Sequence, residues 1–210
     1  MARPKSARSE EKTETSKKQI IEAATNVIAL QGLGKATLQT IAEHAGVSSA
    51  LVVFHFQSKD NLLKVVLGNL REIYKDGWER ALQPLDDPAP TRLMRSITFD
   101  LEFPRRHPEY VAAWYAFWGE ARGGLLYQGI GRVGDDQCRH DIRLIVRDIV
   151  EKGGYEAVDE QSVSETIYVM IFGHWYVAHN EAERFDPELA RRTFTNFLSS
   201  TFPNEDWRSC

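Results

Sequence analysis

The second half of this 210-residue chain is rich in aromatic side chains that carry a polar edge. Tryptophan and tyrosine rings can surround a cation such as a quaternary ammonium group, because the faces of the rings are electronegative. Their N–H and O–H groups also offer a polar contact that an apolar core does not need. A helical core explains any single ring equally well, whereas the set predicts a ligand-binding pocket. The candidate residues are Trp114, Tyr115, Trp118, Tyr127, Phe172, Trp175 and Tyr176.

Basic residues are concentrated at the opposite end of the chain. The whole chain has 26 Lys and Arg against 30 Asp and Glu, a net charge of −4. Residues 1–64, however, have nine Lys and Arg against six Asp and Glu, a net charge of +3, which leaves −7 for the remainder. The first eight residues contain Arg3, Lys5 and Arg8 and no acid. Such an arm can neutralise phosphates or enter an A·T-rich minor groove; a solvated tail is the alternative.

Residues 37–56 have the spacing of two short helices joined by a tight turn. Thr37 and Ser48 are good N-cap residues, and Gly46 permits the turn between them. This is the geometry of a helix-turn-helix, with Val47 expected to fill the gap between the two helices. Short helix pairs are common in all-α proteins, so the spacing alone leaves both interpretations open.

The stretch from Thr37 to Leu63, TLQTIAEHAGVSSALVVFHFQSKDNLL, resembles the N-terminal signature of TetR-family transcriptional regulators. The match covers residues 16–67, and the remaining two-thirds of the chain match by helix order and length. The resemblance implies a homodimer in which each subunit has a three-helix DNA-binding head and a larger helical body that binds a small effector. The chain departs from the family pattern at Ala50 and Val53, where Gly and Tyr are common, so the phosphate contact of that Tyr is not carried over.

The same resemblance assigns DNA contacts to individual residues of the head. Thr37 and Ser48 begin helices, whose free N–H groups can meet phosphates, and Lys59 resembles the family's phosphate-contacting lysine. His55 has either a phosphate contact or a packing role. The exposed candidates for base edges or thymine methyl groups are Ser49, Ala50, Leu51 and Phe54. The expected core residues of this segment are Val47, Val52 and Phe56.

A second, shorter resemblance concerns the aromatic region. The hexad AWYAFW at residues 113–118, with Leu126, Tyr127 and Arg132 after it, is similar to the choline-responsive repressors of betaine-synthesis genes within this family. It implies choline or a related trimethylammonium compound as effector, with Glu120 as a candidate balancing carboxylate. The rings expected to contact the cation are Trp114, Trp118, Tyr127 and Trp175. A planar drug or an aromatic acid in the same pocket is the alternative.

The elements that must position these residues are all helices. Apolar periodicity predicts an all-α chain of about nine helices, with an N-terminal arm and helix-turn-helix domain at residues 1–64 and an effector-binding and dimerisation domain at residues 65–210. Local signals predict several helix ends: a first helix from Ser16 to Gly32, a linker at 86–90, a stop before Pro104, a start at Pro108, a helix from Cys138 to Gly153, and a cap at Asp186.

The helix at 161–179 is apolar on all sides, a pattern typical of burial on all sides. We therefore expect it to pair with the final helix, 186–201, and with both helices of a second copy, as a four-helix bundle in a homodimer. The fourth helix, 59–80, ties the head to the body and is the expected hinge.

Other classes of protein are disfavoured. The chain has no Gly-rich phosphate loop, no nucleophile elbow and no His-Glu-x-x-His motif, and the spacing of His174 and His179 makes them diverge on a helix. Two cysteines cannot form a disulfide framework or a Cys-rich zinc site. No apolar run suits a membrane span or a signal peptide. We expect a cytoplasmic protein without enzymatic activity, cofactor or metal; a helical ligand-binding protein that has lost DNA binding is the remaining alternative.

Overall fold

The structure, a computed structural model, describes residues 7–119, 125, 128–130 and 132–207. Over these residues it is helical and contains no strand, which confirms the all-α prediction. No helix in that part of the chain is both long and apolar enough to cross a membrane. The helices are α1 (Ala7–Lys35), α2 (Leu38–Ala45), α3 (Ser49–Phe56), α4 (Lys59–Ala81), α5 (Ala89–Arg106), α6 (Pro108–Gly119), α7 (Arg132–Gly153), α8 (Glu160–Asn180) and α9 (Pro187–Thr201), with a 3₁₀ turn at Ala182–Arg184 before α9.

The starts of α2, α3, α4 and α9 coincide with capping side chains predicted from the sequence, at Thr37, Ser48, Ser58 and Asp186. By contrast, α5 begins at Ala89, inside the predicted linker, and α7 begins at Arg132, before the predicted Cys138. Ser58 precedes α4, and its hydroxyl accepts a hydrogen bond from the N–H of Asn61 at 3.2 Å. A carboxylate oxygen of Asp186 accepts from the N–H groups of Glu188 at 2.9 Å and Leu189 at 3.1 Å, at the start of α9. These side chains satisfy N–H groups that have no partner inside a helix, which is why purely local signals predicted them.

Helix α1 is longer than the sequence pattern predicted. It begins at Ala7 instead of Ser16, and it passes Gly32 to end at Lys35. Gly32 nevertheless interrupts the helix, because its backbone has φ 78° and ψ 168°, a conformation that glycine tolerates without a steric penalty. The glycine signal was therefore correct as a break and wrong as an end.

Helix α5 contradicts the predicted stop before Pro104, since it continues through that proline to Arg106. A proline inside a helix cannot donate to the carbonyl four residues earlier, which here belongs to Asp100. The indole N–H of Trp175 donates to that carbonyl instead, at 3.0 Å. A tertiary hydrogen bond thus replaces the one that Pro104 cannot make, and the helix tolerates the proline.

The chain divides into two compact units, and each is described by itself. The first unit comprises residues 1–71 and 112–131. In it, apolar side chains of α1 and the two short helices form a continuous core, and the side-chain amide of Gln19 donates to the carbonyl of Ala45 at 2.7 Å. The buried residues include Ile20, Ala24, Val27, Ile28, Ile41, Ala42, Val52, Phe56, Leu62 and Leu63.

The second unit comprises residues 72–111 and 132–210. Its core is formed by the apolar stripes of α5, α7, α8 and α9, which pack around one another. The buried residues include Leu93, Met94, Ile97, Leu101, Ile142, Val146, Ile149, Ile167, Ile171, Phe194 and Leu198. Ion pairs at its rim, such as Arg147 to Glu160 at 2.8 Å and Arg92 to Asp148 at 3.2 Å, join neighbouring helices.

Candidate nucleic-acid interface and candidate effector site

The turn between α2 and α3 is fixed by backbone and side-chain hydrogen bonds. The Thr37 hydroxyl accepts from the N–H of Thr40 at 3.1 Å, and the Thr40 hydroxyl accepts from the N–H of Thr37 at 2.9 Å, so both ends of a capping box are present. Gly46 ends α2 in the left-handed region at φ 65°, which favours glycine. Ser48 then caps α3 by accepting from the N–H of Leu51 at 3.2 Å. The capping side chains and Gly46 therefore fix both ends of α2 and the start of α3.

Helix α3 has one buried face and one exposed face. Val52 and Phe56 are buried in the first unit, as the sequence predicted. Ser49 and Ala50 are exposed, and the ring of Phe54 is 69% exposed. The exposed Phe54 ring has no role in the core of the first unit, so a short, rigid helix presents polar and apolar groups outward.

Two residues of α3 differ from the simple exposed pattern. Leu51, expected to be exposed, is half-buried. His55 is also half-buried, with its ring centroid 5.2 Å from that of Phe54 and 6.1 Å from that of Phe56. Half-burial shows that both side chains pack partly in this unit, and the phosphate contact of His55 stays a prediction.

Lys59 holds two helices together at the end of the head. Its ammonium Nζ donates to the backbone carbonyl of Leu33 at 2.6 Å. This carbonyl lies just after the break of α1 at Gly32, where regular helical hydrogen bonds are lost. A lysine ammonium has three N–H donors, so this bond is compatible with the phosphate contact that the sequence resemblance assigned.

Some predicted DNA contacts and two residues predicted for the effector site lie outside the described residues. Arg3, Lys5, Tyr127 and Glu120 are not described, and the side chain of Arg8 is also outside the described part. The backbone of Arg8 lies in the first turn of α1.

The predicted aromatic residues fall into two groups. In the first unit, Trp114 is buried, and the half-buried Tyr115 and Trp118 lie edge to face with ring centroids 5.1 Å apart. In the second unit, Phe172 and Trp175 are stacked with centroids 6.3 Å apart, and Trp175 is buried. Tyr176, by contrast, is 54% exposed, because it follows Trp175 by one residue and so points to a different side of α8.

The second unit contains an aromatic cluster that the sequence reasoning did not find. It surrounds Tyr74, whose ring centroid lies 5.6 Å from that of Trp175 and 5.4 Å from that of Phe103. The Phe103 and Trp175 rings stack nearly parallel at 5.4 Å. Phe99 packs beside them, 5.6 Å from Tyr74. We call the four rings of Tyr74, Phe99, Phe103 and Trp175 the α5 aromatic cluster.

A buried carboxyl group lies within the α5 aromatic cluster. Asp100 is completely buried, and its Oδ1 accepts a hydrogen bond from the Tyr74 hydroxyl at 2.9 Å. Burial raises the pKa of Asp100 from its usual value of 3.8 to about 8, while hydrogen bonding by Tyr74 and Trp175 opposes the rise. The thiol of Cys138 is 3.7 Å from the same Tyr74 hydroxyl, and burial raises its pKa as well.

One sequence signal for this carboxyl group existed. Leu93, Ile97 and Leu101 form the apolar stripe of α5, and Asp100 is seven residues after Leu93 and three after Ile97. Residues at these spacings share a helix face, so Asp100 was a charged residue on a buried stripe. Its partner Tyr74 lies on another helix and had no local signal.

Two family models match the chain. Residues 20–66 match the bacterial regulatory proteins of the tetR family, and residues 89–203 match the BetI-type transcriptional repressor, C-terminal. A relative named HTH-type transcriptional regulator BetI, from Klebsiella pneumoniae strain 342, is 23% identical over 194 residues, which are 90% of this chain and 94% of the relative. The protein of the same name from Rhizobium meliloti strain 1021 is 36% identical over 110 residues, about half of each chain.

Solved structures share the fold. A putative transcriptional regulator from Pseudomonas aeruginosa PAO1 superposes with a TM-score of 0.76 at 20% identity, covering 91% of this chain and 92% of that one. A putative transcriptional regulator from Saccharomonospora viridis in complex with choline superposes with a TM-score of 0.69, also at 20% identity, covering 89% of this chain and 96% of that one.

Proposed function

Because the chain belongs to the tetR family of bacterial regulatory proteins and has a C-terminal region of the BetI type, we propose that it is a homodimeric repressor whose affinity for a DNA operator is controlled by a quaternary ammonium effector such as choline. DNA-binding transcriptional regulation follows from the family, whose members are regulators and not enzymes. The dimer, the effector and the individual contacts are our proposal.

The observation that carries the DNA-reading role is the exposed face of α3. Ser49, Ala50 and Phe54 lie on that face, at the second helix of a helix-turn-helix, which is the helix that enters the major groove. A serine hydroxyl can bond base edges, and an exposed ring can contact thymine methyl groups. Thr37 and Ser48 stand at helix N-termini, where N–H groups attract phosphates. Arg3, Lys5 and Arg8 belong to the basic N-terminal segment and are proposed to add phosphate or minor-groove contacts.

Exposed apolar side chains on α8 and α9 support the dimer. Val169 on α8 is 56% exposed, and Leu189 on α9 is 54% exposed, as is Tyr176. Apolar groups on adjacent helices favour association with an identical surface, because a two-fold axis makes one patch self-complementary. Two heads would then read half-sites about one DNA turn, roughly 34 Å, apart.

The aromatic content of both units supports a cationic effector. Rings of Trp and Tyr attract a quaternary ammonium group through their electronegative faces, and one structural neighbour of this chain was solved with choline bound. The proposed contacts in the second unit are Phe172 and Trp175; Trp114, Tyr115 and Trp118 of the first unit stay separate candidates, as does Tyr127, which lies outside the described residues. An effector changes operator affinity only if it binds the DNA-competent and the DNA-incompetent conformations unequally.

Electrophoretic shift of the DNA immediately upstream of the protein's own gene, titrated at several salt concentrations with and without choline, tests the regulator and the effector together. We expect a specific complex whose affinity for DNA changes when choline is added. The affinity should stay constant when a salt without a quaternary ammonium ion replaces choline at equal ionic strength. Lys59→Ala should weaken all DNA binding and make the dependence on salt shallower by about two phosphate contacts per dimer. An unchanged salt dependence would remove the phosphate role of Lys59 and leave its bond to Leu33 as its function.

Calorimetric titration with choline and with an aromatic acid separates the two effector classes. Choline binding at micromolar to millimolar concentration supports the proposal. Binding of the aromatic acid alone would mean that the effector is a planar anion and not a quaternary ammonium ion. If the protein shifts DNA but binds neither ligand, its role as a DNA-binding regulator stands and the aromatic effector site is refuted.

A further inference from the structure

The buried carboxyl group of Asp100 has one oxygen without a partner. Its Oδ1 accepts the Tyr74 hydroxyl, but its Oδ2 is buried and no group in the described part of the chain bonds it. A buried carboxylate without compensation is strongly unfavourable. The group must therefore hold a proton in the ligand-free protein or face a positive charge when a ligand is bound.

The neighbours of Asp100 in the described part of the second unit do not supply that charge. Tyr74 faces it from α4, and Cys138 on α7 contacts the same tyrosine hydroxyl. Asp135 and Asp141 act on Cys138 from the same helix, and both are acidic. Trp175, from α8, contributes an indole N–H to the backbone carbonyl of Asp100. All of these groups are neutral or acidic near neutral pH, so the missing positive charge has to come from outside.

The surroundings of Asp100 also select which cation would suit. The Tyr74 hydroxyl bonds the carboxyl group, and the rings of Tyr74, Phe103 and Trp175 contact one another with centroids 5.4–5.6 Å apart. Rings stabilise a diffuse cation such as a trimethylammonium group, which needs no hydrogen bonds. A metal ion would instead require several oxygen ligands, and Asp100 is one carboxyl group among rings.

We propose that Asp100 is the anionic anchor of the effector site, where a quaternary ammonium group takes the place of the carboxyl proton. The inference rests on the proposed function, since it assumes an effector of that class. On binding, the O–H bond of Asp100 breaks, the proton passes to solvent, and the cation faces the carboxylate; no electrons are transferred. Because the rings of the α5 aromatic cluster contact one another, admitting the cation requires them to move apart.

This exchange makes effector affinity depend on pH in a defined direction. The charge of a quaternary ammonium ion does not titrate, so any pH dependence reports the protein. Burial holds the pKa of Asp100 at about 8, so the protein below that pH must release a proton to bind. The affinity should rise with pH by up to about tenfold per unit and become constant above pH 8 or so.

The test uses the full-length protein, choline, and the neutral isostere of choline in which carbon replaces nitrogen. We expect the wild type to bind choline with proton release, measured by calorimetry in buffers of different ionisation enthalpy between pH 6 and pH 9. Asp100→Asn should bind choline about tenfold more weakly above pH 8, without proton release, while its affinity for the neutral isostere is unchanged. The exposed Asp136→Asn, with the same loss of charge, should behave as the wild type.

Outcomes separate this inference from the function on which it rests. If the wild type binds choline and Asp100→Asn binds it equally well with the same pH dependence, the role of Asp100 is refuted and the choline-responsive regulator stands. If the wild type binds operator DNA but no quaternary ammonium ion, both the effector class and the anchor are refuted. Circular dichroism and operator binding of Asp100→Asn without ligand check that the variant is folded; Tyr74→Phe, which keeps the ring and removes the hydrogen bond to Asp100, should shift the pH dependence upward.

Discussion

The first and second units place their functional groups in opposite ways. In the first unit, the polar side chains of Thr37 and Ser48 are fully used by local capping bonds, and the apolar Phe54 is directed to solvent. In the second unit, the carboxyl group of Asp100 is completely buried and is bonded by the hydroxyl of Tyr74, whose ring contacts Trp175. The surface proposed to meet DNA is built from local hydrogen bonds, whereas the site proposed for the effector keeps an unsatisfied carboxyl oxygen inside.

The largest effect is expected from removing the exposed ring of α3. Phe54→Ala should reduce operator affinity by about tenfold to a hundredfold, because aromatic anchors commonly contribute more than about 1 kcal/mol and a dimer uses two of them. Thermal stability should change little, since Phe54 is 69% exposed. The measurement is fluorescence anisotropy with operator DNA.

Leu30→Ala is the matched control for Phe54, because Leu30 in the same unit is 76% exposed on α1. Equal losses of operator affinity in both variants would show that exposed apolar groups act nonspecifically, and the outward-reading role of α3 would be wrong.

The next effect concerns the hydrogen bond that allows Pro104 inside α5. Trp175→Phe removes the indole donor to the Asp100 carbonyl, and Pro104 has no N–H to replace it. We expect a loss of about 1–3 kcal/mol in the free energy of unfolding for the unpaired buried carbonyl, measured by urea denaturation.

A double-mutant cycle isolates this bond. In a Pro104→Ala background, the alanine N–H can bond the Asp100 carbonyl within the helix, so Trp175→Phe should cost less there than in the wild type. Additive losses would show that Trp175 stabilises the second unit through its ring alone.

A pH-dependent effect distinguishes the second unit from the first. Folding raises the pKa of Asp100 from 3.8 to about 8 because the charged form is buried. The folded state therefore holds the proton more strongly than the unfolded state, and this contribution to stability is complete at low pH and decreases as pH rises from about 4 to about 8. Asn at position 100 does not titrate.

The stability difference between Asp100→Asn and the wild type should therefore increase in favour of the variant across that pH range and then level off. Urea midpoints measured from pH 5 to pH 9 check it, with Asp136→Asn as the control because Asp136 is exposed. If the stabilities of Asp100→Asn and the wild type change with pH in parallel, the pKa of Asp100 is not raised by folding and the group is ionised in the ligand-free protein.

The smallest effect belongs to the capping box of α2. Thr37→Ala removes the acceptor for the Thr40 N–H and should lower the free energy of unfolding by about 1 kcal/mol. Thr37→Ser, which retains the hydroxyl, should recover most of that loss. Equal denaturation midpoints for the alanine and serine variants would contradict a capping role.

Agreement between sequence and structure depends on where the partner of each group lies. Caps at Thr37, Ser48 and Asp186 were predictable because donor and acceptor are within three residues of each other. The end of α5 was not, because the partner that lets it continue past Pro104 is Trp175, far along the chain. The half-burial of Leu51 likewise depends on packing that spacing does not encode.

The same distinction applies to the two sites. The α2–α3 turn, its glycine and its exposed face followed from local residue types, and the predicted aromatic side chains in the described part of the chain lie on helices, as expected. The α5 aromatic cluster was missed because Tyr74, Phe103 and Trp175 lie on three different helices. Only the charge of Asp100 on an apolar stripe indicated, within one segment, that a polar group would be buried there.

From the sequence alone, the all-α class, the helix-turn-helix and the capped starts of α2, α3, α4 and α9 could be determined, because these depend on periodicity and on hydrogen bonds between near neighbours. The tertiary structure decided which aromatic rings contact one another, which carboxyl group is buried from solvent, and how a helix accommodates an internal proline. Those properties arise from contacts between segments distant in the chain, and the energy of a buried charge depends on all of its neighbours at once.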